Sequence, residues 1–142
     1  MRISQVIRRK GDLVVTVRPD ATVEQLLELL EEHKIGAAVV SDDGSTVSGI
    51  VSERDVVRAL HADGVGVLAE TVATIMTSEV ETCTPDDRID ALARTMTERR
   101  IRHIPVLVDG KLAAIVSIGD IVKWRIDELQ HERDQLVGYI QQ

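Results

Sequence analysis

Phenylalanine is absent from this chain, and tryptophan, tyrosine and cysteine occur once each in 142 residues. So few aromatic side chains leave no platform on which nucleic-acid bases could stack. The single cysteine, Cys83, excludes an internal disulfide and agrees with a reducing cytoplasm. Cations are in the minority, 17 Lys and Arg against 24 Asp and Glu, for a formal charge of -7. A general nucleic-acid surface needs clustered cations and is not expected, although Arg99, Arg100, Arg102 and His103 form a local basic spot. No apolar run approaches the ~18 residues of a membrane span. The basic start MRISQVIRRK lacks the apolar core of a secretion signal, so a cytoplasmic protein without a membrane partner is expected. His33, His61, His103 and His131 have no ligand spacing with one another or with Cys83, which argues against a metal site. Asp42-Asp43 and Asp86-Asp87 read as turn and cap chemistry rather than paired catalytic carboxylates. With no Gly-rich phosphate loop either, there is little to suggest an enzyme.

What the chain does contain, it contains twice. Val14, Thr16, Pro19, Asp20, Leu26, Ile35, Val40 and Gly44 recur as Val80, Thr82, Pro85, Asp86, Leu92, Ile101, Val106 and Gly110. After a one-residue gap, Ile50, Val51, Ser52, Asp55 and Val57 recur as Ile115, Val116, Ser117, Asp120 and Val122. Because the matches include turn residues and a Ser-x-x-Asp as well as apolar positions, one supersecondary unit is repeated in tandem.

Each unit reads as β-α-β-β-α. A short strand at Val14 to Val17 leads through Pro19-Asp20 to a capping box, Thr22 with Gln25. Val23, Leu26, Leu27 and Leu30 then fall at i, i+3, i+4 and i+7, as Ile89, Leu92, Ala93 and Met96 do in the second copy, and give a helix with one buried face. Two β-branched runs follow in each copy, IGAAVVS and SGIVS, then IRHIPVLV and KLAAIVS, joined by turns at Asp42-Asp43-Gly44 and Asp109-Gly110. A second helix starts near Ser52 and Ser117. The predicted organisation is an N-terminal segment (1–13), repeat 1 (14–62), a linker (63–79) with a short helical piece at Leu68 to Met76, repeat 2 (80–125) and a helical extension (126–142). One unit of ~50 residues would leave a sheet face bare, so an α/β (α+β) fold with two units about a pseudo-twofold axis is expected.

The motifs GIVSERD (49–55), AIVSIGD (114–120) and IRHIPV (101–106), in register within this architecture, resemble a tandem pair of cystathionine-β-synthase-type (CBS) domains. The resemblance covers Val14 to about Trp124 and, with no catalytic domain alongside, implies a stand-alone CBS pair that binds an adenine nucleotide between its repeats. AMP is the foremost candidate, with ADP, ATP or NAD(H) as alternatives, and no catalytic cofactor is implied.

The Ser-x-x-Asp has its own chemistry. A strand ending at Val116 with a helix starting after Ser117 presents backbone N–H groups and a hydroxyl suited to a phosphate. Asp120, one turn on, can accept from vicinal ribose hydroxyls. The plainer alternative is that Ser52 and Ser117 are N-caps whose Asp partners favour the helix dipole. The resemblance implies that each Asp shares a cleft with strand residues of the other repeat. Asp120, Ser117, Ile118, Gly119 and Lys123 would then face Thr16, Ala21, Ile35, Gly36, Ala37 and Ala38. Ser52, Arg54 and Asp55 would face Thr82, Asp87, Ile101, Arg102 and His103. Uncharged Ile118 and Gly119, where the first repeat has Glu53 and Arg54, favour the Asp120 cleft for the purine. Arg102 and His103 are the phosphate candidates.

Beyond the repeat, Val122, Ile126, Leu129, Arg133, Leu136 and Ile140 step by alternating fours and threes, an a/d seam interrupted by one arginine. The expectation is a homodimeric regulatory sensor that signals to an unidentified protein partner by reorienting its repeats. The competing expectation is a constitutive interaction and assembly module with vestigial clefts.

Overall fold

A computed structural model describes residues 1–11 and 14–141; the expected boundary after residue 13 falls at the edge of the undescribed pair. The elements are α1 (Ile3–Lys10), β1 (Thr16–Val17), α2 (Val23–His33), β2 (Ala37–Val40), β3 (Gly49–Ser52), α3 (Glu53–Asp63), 3₁₀ turns at Val65–Ala69 and Val72–Thr74, α4 (Ile89–Arg99), β4 (His103–Val108), β5 (Lys111–Ser117) and α5 (Ile118–Gln141). In repeat 1, β1 runs parallel to β2 (Val17 beside Val40), and β2 is antiparallel to β3 (Ala37 beside Ser52). Repeat 2 has the β4–β5 hairpin, with His103 beside Ser117, and its first strand shrinks to a single parallel bridge from Cys83 to Val106.

Local chemistry explains the boundaries. The Thr22 hydroxyl accepts from the Gln25 N–H at 3.1 Å and the Gln25 side chain accepts from the Thr22 N–H at 2.9 Å, so α2 starts with both donors satisfied. α2 and α4 end on Lys34 (φ 53°) and Arg100 (φ 56°) in the left-handed conformation that closes a helix. Asp109 and Gly110, both at positive φ, make the tight β4–β5 turn. The longer β2–β3 connection is held by Asp43, which accepts from the Ser45 and Thr46 N–H groups at 2.8 and 2.9 Å; these bonds hold its carboxyl down at about 2.

Each repeat closes its core with the segment that precedes the other repeat. Ile3 and Val6 of α1 are buried with Ile89, Leu92, Met96, Ile104 and Val116 of repeat 2, while Val72 of the linker is buried with Val23, Leu26, Val40 and Val51 of repeat 1. The backbone repeats the exchange. The Ile3 N–H donates to the Asp87 carbonyl (2.9 Å) and Ile89 to Met1 (3.0 Å), as Val72 donates to Ala21 (2.8 Å) and Val23 to Glu70 (2.9 Å). Residues expected to be a separate N-terminal segment and a linker are therefore structural parts of the two repeats. Gly49 reflects this crossing: a Cβ there would lie 2.7 Å from Met76 Sδ and 2.8 Å from the Thr77 carbonyl oxygen. Cys83 is buried in the second core, where burial, aided by the Asp87 carboxylate, pushes its thiol up to about 12.

Candidate functional site

Both strand-to-helix junctions are built alike. The Ser52 hydroxyl accepts from the Asp55 N–H (3.4 Å) while Asp55 Oδ2 accepts from the Ser52 N–H (2.8 Å) and hydroxyl (3.1 Å). In repeat 2 the Ser117 hydroxyl accepts from the Asp120 N–H (3.1 Å), and Asp120 Oδ2 accepts from the Ser117 N–H (2.9 Å). The capping bonds engage Oδ2 and leave each Asp Oδ1 without a partner among the described residues, so capping does not bar a ligand. The first helical amide is taken in each case, Glu53 N–H by the Gly36 carbonyl (3.0 Å) and Ile118 N–H by the Arg102 carbonyl (2.8 Å). These bonds tie each helix start to the first residues of its own hairpin.

An open cleft of about 730 Å³ lies between the repeats, within the size range of small-molecule sites. One wall is Ser52 to Asp55 with Ile50, Val57 and Arg58; the other is Thr77 and Glu79 to Glu81 together with Arg99 to His103. Gly36 and Ala37 meet Ser117, Ile118 and Gly119 at its end. The cleft thus brings Asp55 to Ile101, Arg102 and His103, and Gly36 and Ala37 to the second helix start. Thr82 and Asp87 lie outside it, Asp87 being occupied in the turn before α4, where its Oδ2 accepts from the Thr84 N–H at 2.9 Å. Thr16, Ala21, Ile35, Ala38, Asp120 and Lys123 are not part of its lining either. Ala38 is buried in the first core, Ile35 packs against it, and Ala21 is held by Val72.

Five arginines, Arg54, Arg58, Arg99, Arg100 and Arg102, line this cleft against four carboxylates. One of the five is committed, since Arg99 donates to Glu81 at 2.7 Å. In a chain of net charge -7, this is a local field suited to an anion. His103 is half-buried at the cleft's inner end, and its imidazole is held below the ordinary histidine value by burial, then by the Lys10 and Arg102 charges, against the opposing pull of Asp120. At neutral pH it stands as a neutral donor or acceptor.

The two aspartates differ in one respect the sequence does not announce. Lys10 Nζ donates to Asp120 Oδ2 at 2.7 Å and to the Ile115 carbonyl at 2.6 Å. Burial pushes the Asp120 carboxyl up, but the Lys10 ammonium and the Ser117 donors outweigh it and the net displacement is downward. Asp55 has no such cation: among the described residues only Ser52 donates to it.

Against known proteins, the CBS domain matches this chain twice, over residues 11–62 and 72–127. The chain belongs to the CBS domain family. A mitochondrial CBS domain-containing protein of Arabidopsis thaliana is 35% identical over 147 aligned residues, covering 98% of this chain and 71% of that protein. The crystal structure of a CBS-domain containing protein from Agrobacterium tumefaciens is 42% identical with a TM-score of 0.85, over 88% of this chain and 99% of that one. A CBS domain protein from Pyrobaculum aerophilum, solved in complex with AMP, is 27% identical with a TM-score of 0.75, over 84% of this chain and 89% of that one. The α+β fold is that of a CBS pair, and among the described residues no helix is long and apolar enough to cross a membrane.

Ile50, Val57, Arg58, Thr77, Glu79, Val80 and Glu81 line the cleft and Lys10 stands beside Asp120, and sequence reasoning gives none of them a site role. Thr77 and Glu79 fall in the expected linker (63–79) and Val80 at the start of the expected second repeat. Lys10 carried no signal at all, because it reaches a partner 110 residues away.

Proposed function

We propose that this chain is a cytoplasmic regulatory module, not an enzyme, that binds an adenine nucleotide, AMP foremost, in the cleft between its CBS repeats. The observation that carries this reading is the 730 Å³ cleft where Asp55, its Oδ2 bonded only by Ser52 among the described residues, shares the lining with a cluster of arginines. Asp55 Oδ1 accepts from the ribose hydroxyls, Arg102 with Arg100 or Arg54 grips the phosphate, and the apolar sides of Ile50, Val80 and Ile101 flank the base. The AMP complex of the Pyrobaculum relative supports the ligand class. The uncharged helix start of repeat 2 had favoured the Asp120 cleft; the open volume and the engagement of Asp120 by Lys10 move the proposal to the Asp55 side.

Binding a ligand that touches both repeats favours one relative orientation of them, which a protein partner reads. From Leu129 to Gln141, α5 is exposed throughout. A free-standing helix of that length is marginal in water, at the ~12–15 residue limit for isolated helices. Leu136 and Ile140 are 63% and 79% exposed on its seam, so a homodimer joined there completes the reading. The same face favours the second reading, a constitutive assembly module with unused clefts.

Titration calorimetry of AMP, NAD(H) and 2′-deoxy-AMP against wild type and Asp55→Ala separates the two. The expected outcome is AMP binding that is lost in Asp55→Ala and weakened for the deoxy ligand. A wild-type protein silent to every adenine ligand leaves only the assembly module.

A further inference from the structure

The Asp120 junction has the capping turn of the Asp55 junction, and one thing more. Its Ser117 N–H and hydroxyl make the same two capping bonds with Asp120 as Ser52 makes with Asp55, with Lys10 in place of the further Ser52 hydroxyl donor to Oδ2, yet the open cleft reaches Ser117, Ile118 and Gly119 and stops short of Asp120. What lies there is the ammonium of Lys10, the last residue of α1. With acceptors at 2.7 Å on Asp120 Oδ2, the oxygen that also takes the Ser117 N–H, and at 2.6 Å on the Ile115 carbonyl, it stands against the carboxylate a ribose would need and fills the mouth of the same junction, while Oδ1 keeps no partner among the described residues. The pair is well shielded, its side chains 31% and 23% exposed, so the attraction is screened far less than at a surface bridge. In repeat 1 the matching carbonyl, Ile50, is bonded instead by the Thr77 backbone N–H at 2.9 Å, and among the described residues no cation bonds the Asp55 carboxylate.

We infer that Lys10 is an internal plug: it occupies the second nucleotide site of the pair and makes the chain bind one nucleotide instead of two. The inference rests on the nucleotide reading above and deepens it by assigning stoichiometry and selectivity to a residue outside both repeat motifs. A nucleotide entering at Asp120 must displace the ammonium from the junction mouth, and with it a two-acceptor, charge-assisted contact, to reach Oδ1, which weakens that site by about ten- to a hundredfold. The lysine is anchored by its helix, since α1 is fixed to repeat 2 through Ile3 and Val6 and through an Arg9 to Asp127 pair at 3.0 Å. It cannot drift away without undocking α1.

The test is a calorimetric titration of AMP into the full chain as wild type, Lys10→Met, Lys10→Arg, Asp55→Ala and the double variant Asp55→Ala/Lys10→Met. Wild type should bind one AMP per chain, Lys10→Met should gain a second event tightened about ten- to a hundredfold, and Lys10→Arg should behave as wild type. Asp55→Ala should lose binding and the double variant should recover one event. Lys10→Gln repeats the measurement should Lys10→Met unfold. A silent double variant beside a binding wild type overturns the plug and leaves the Asp55 reading standing, as does a wild type that binds two. A silent wild type with a binding Lys10→Met sinks the Asp55 reading and sustains the plug. Silence in both overturns the two together.

Discussion

Replacing Ile3 by alanine tests the exchange of segments that closes the two cores. Ile3 is fully buried although it stands eleven residues before the first residue of the repeat unit, Val14, and its neighbours Ile89, Met96 and Ile104 come from the far repeat. Removing a buried isoleucine to Cβ loses the transfer free energy of the missing carbons and leaves a cavity, for a cost of about 2–5 kcal/mol. The rigid surroundings place the cost in the upper half of that range: α4 and the β4–β5 hairpin are held by their own ladders, and α1 by the Ile3 to Asp87 and Ile89 to Met1 backbone bonds, so little can collapse inward. At ~2–4 °C per kcal/mol for a protein of this size, the midpoint of thermal unfolding should fall by about 7–20 °C. Urea unfolding followed by tryptophan emission reads the same event locally, because Trp124, the sole tryptophan, packs against this core and contacts Met1. Arg8→Ala, on the exposed side of α1, should stay within ~0.5 kcal/mol of wild type. Val72→Ala, the matching change in repeat 1, should cost about 2 kcal/mol from two lost methyl groups and their cavity. An Ile3→Ala protein as stable as Arg8→Ala, with unshifted Trp124 emission, would refute the docking of α1 on repeat 2.

Arg102→Ala should weaken AMP by roughly 1.5–3 kcal/mol and adenosine hardly at all, the cost of one charge-assisted bond; equal losses in calorimetry would mean that Arg102 acts through structure. Deleting residues 127–142 should lower the mass seen by light scattering from dimer to monomer while circular dichroism keeps the fold, and an unchanged mass would place the association elsewhere. Asp120 is held below its ordinary carboxyl value, so its stabilising contribution is complete above the unfolded value near ~3.9 and is lost as the pH falls through the lower folded one. Acid unfolding curves of wild type should therefore fall more steeply below about pH 4 than those of Asp120→Asn, and parallel curves would contradict the Lys10 pairing. His103 is also lowered, so the unfolded chain takes up its proton first and stability declines as the pH drops from ~6.5; His103→Asn should flatten that slope in urea titrations.

Local signals in the chain determined much of this protein. The 3.6-residue spacing of Val23, Leu26 and Leu30, the Thr22–Gln25 cap, the Asp109-Gly110 turn and the Ser-x-x-Asp junctions each depend on residues within a few positions of one another, and each stands in the structure where its spacing put it. The doubling of those signals was enough to identify a CBS pair, and the basic spot at Arg99 to His103 was visible as a run of charge. Only the tertiary structure decided which segments close which core and which Asp is open. Ile3 and Lys10 read as part of a basic N-terminal segment because their partners lie beyond the whole first repeat, and no periodicity records a contact of that range. The same holds for Ala38, which neighbours the cleft in sequence but turns into the first core with Val40, because side chains alternate along β2 and its register decides which of them face inward, while Ile35, before the strand, packs against the same core. The asymmetry of the two junctions rests on one ammonium group brought in from an element outside either motif. Short-range chemistry wrote two equal sites, and a long-range contact made them unequal.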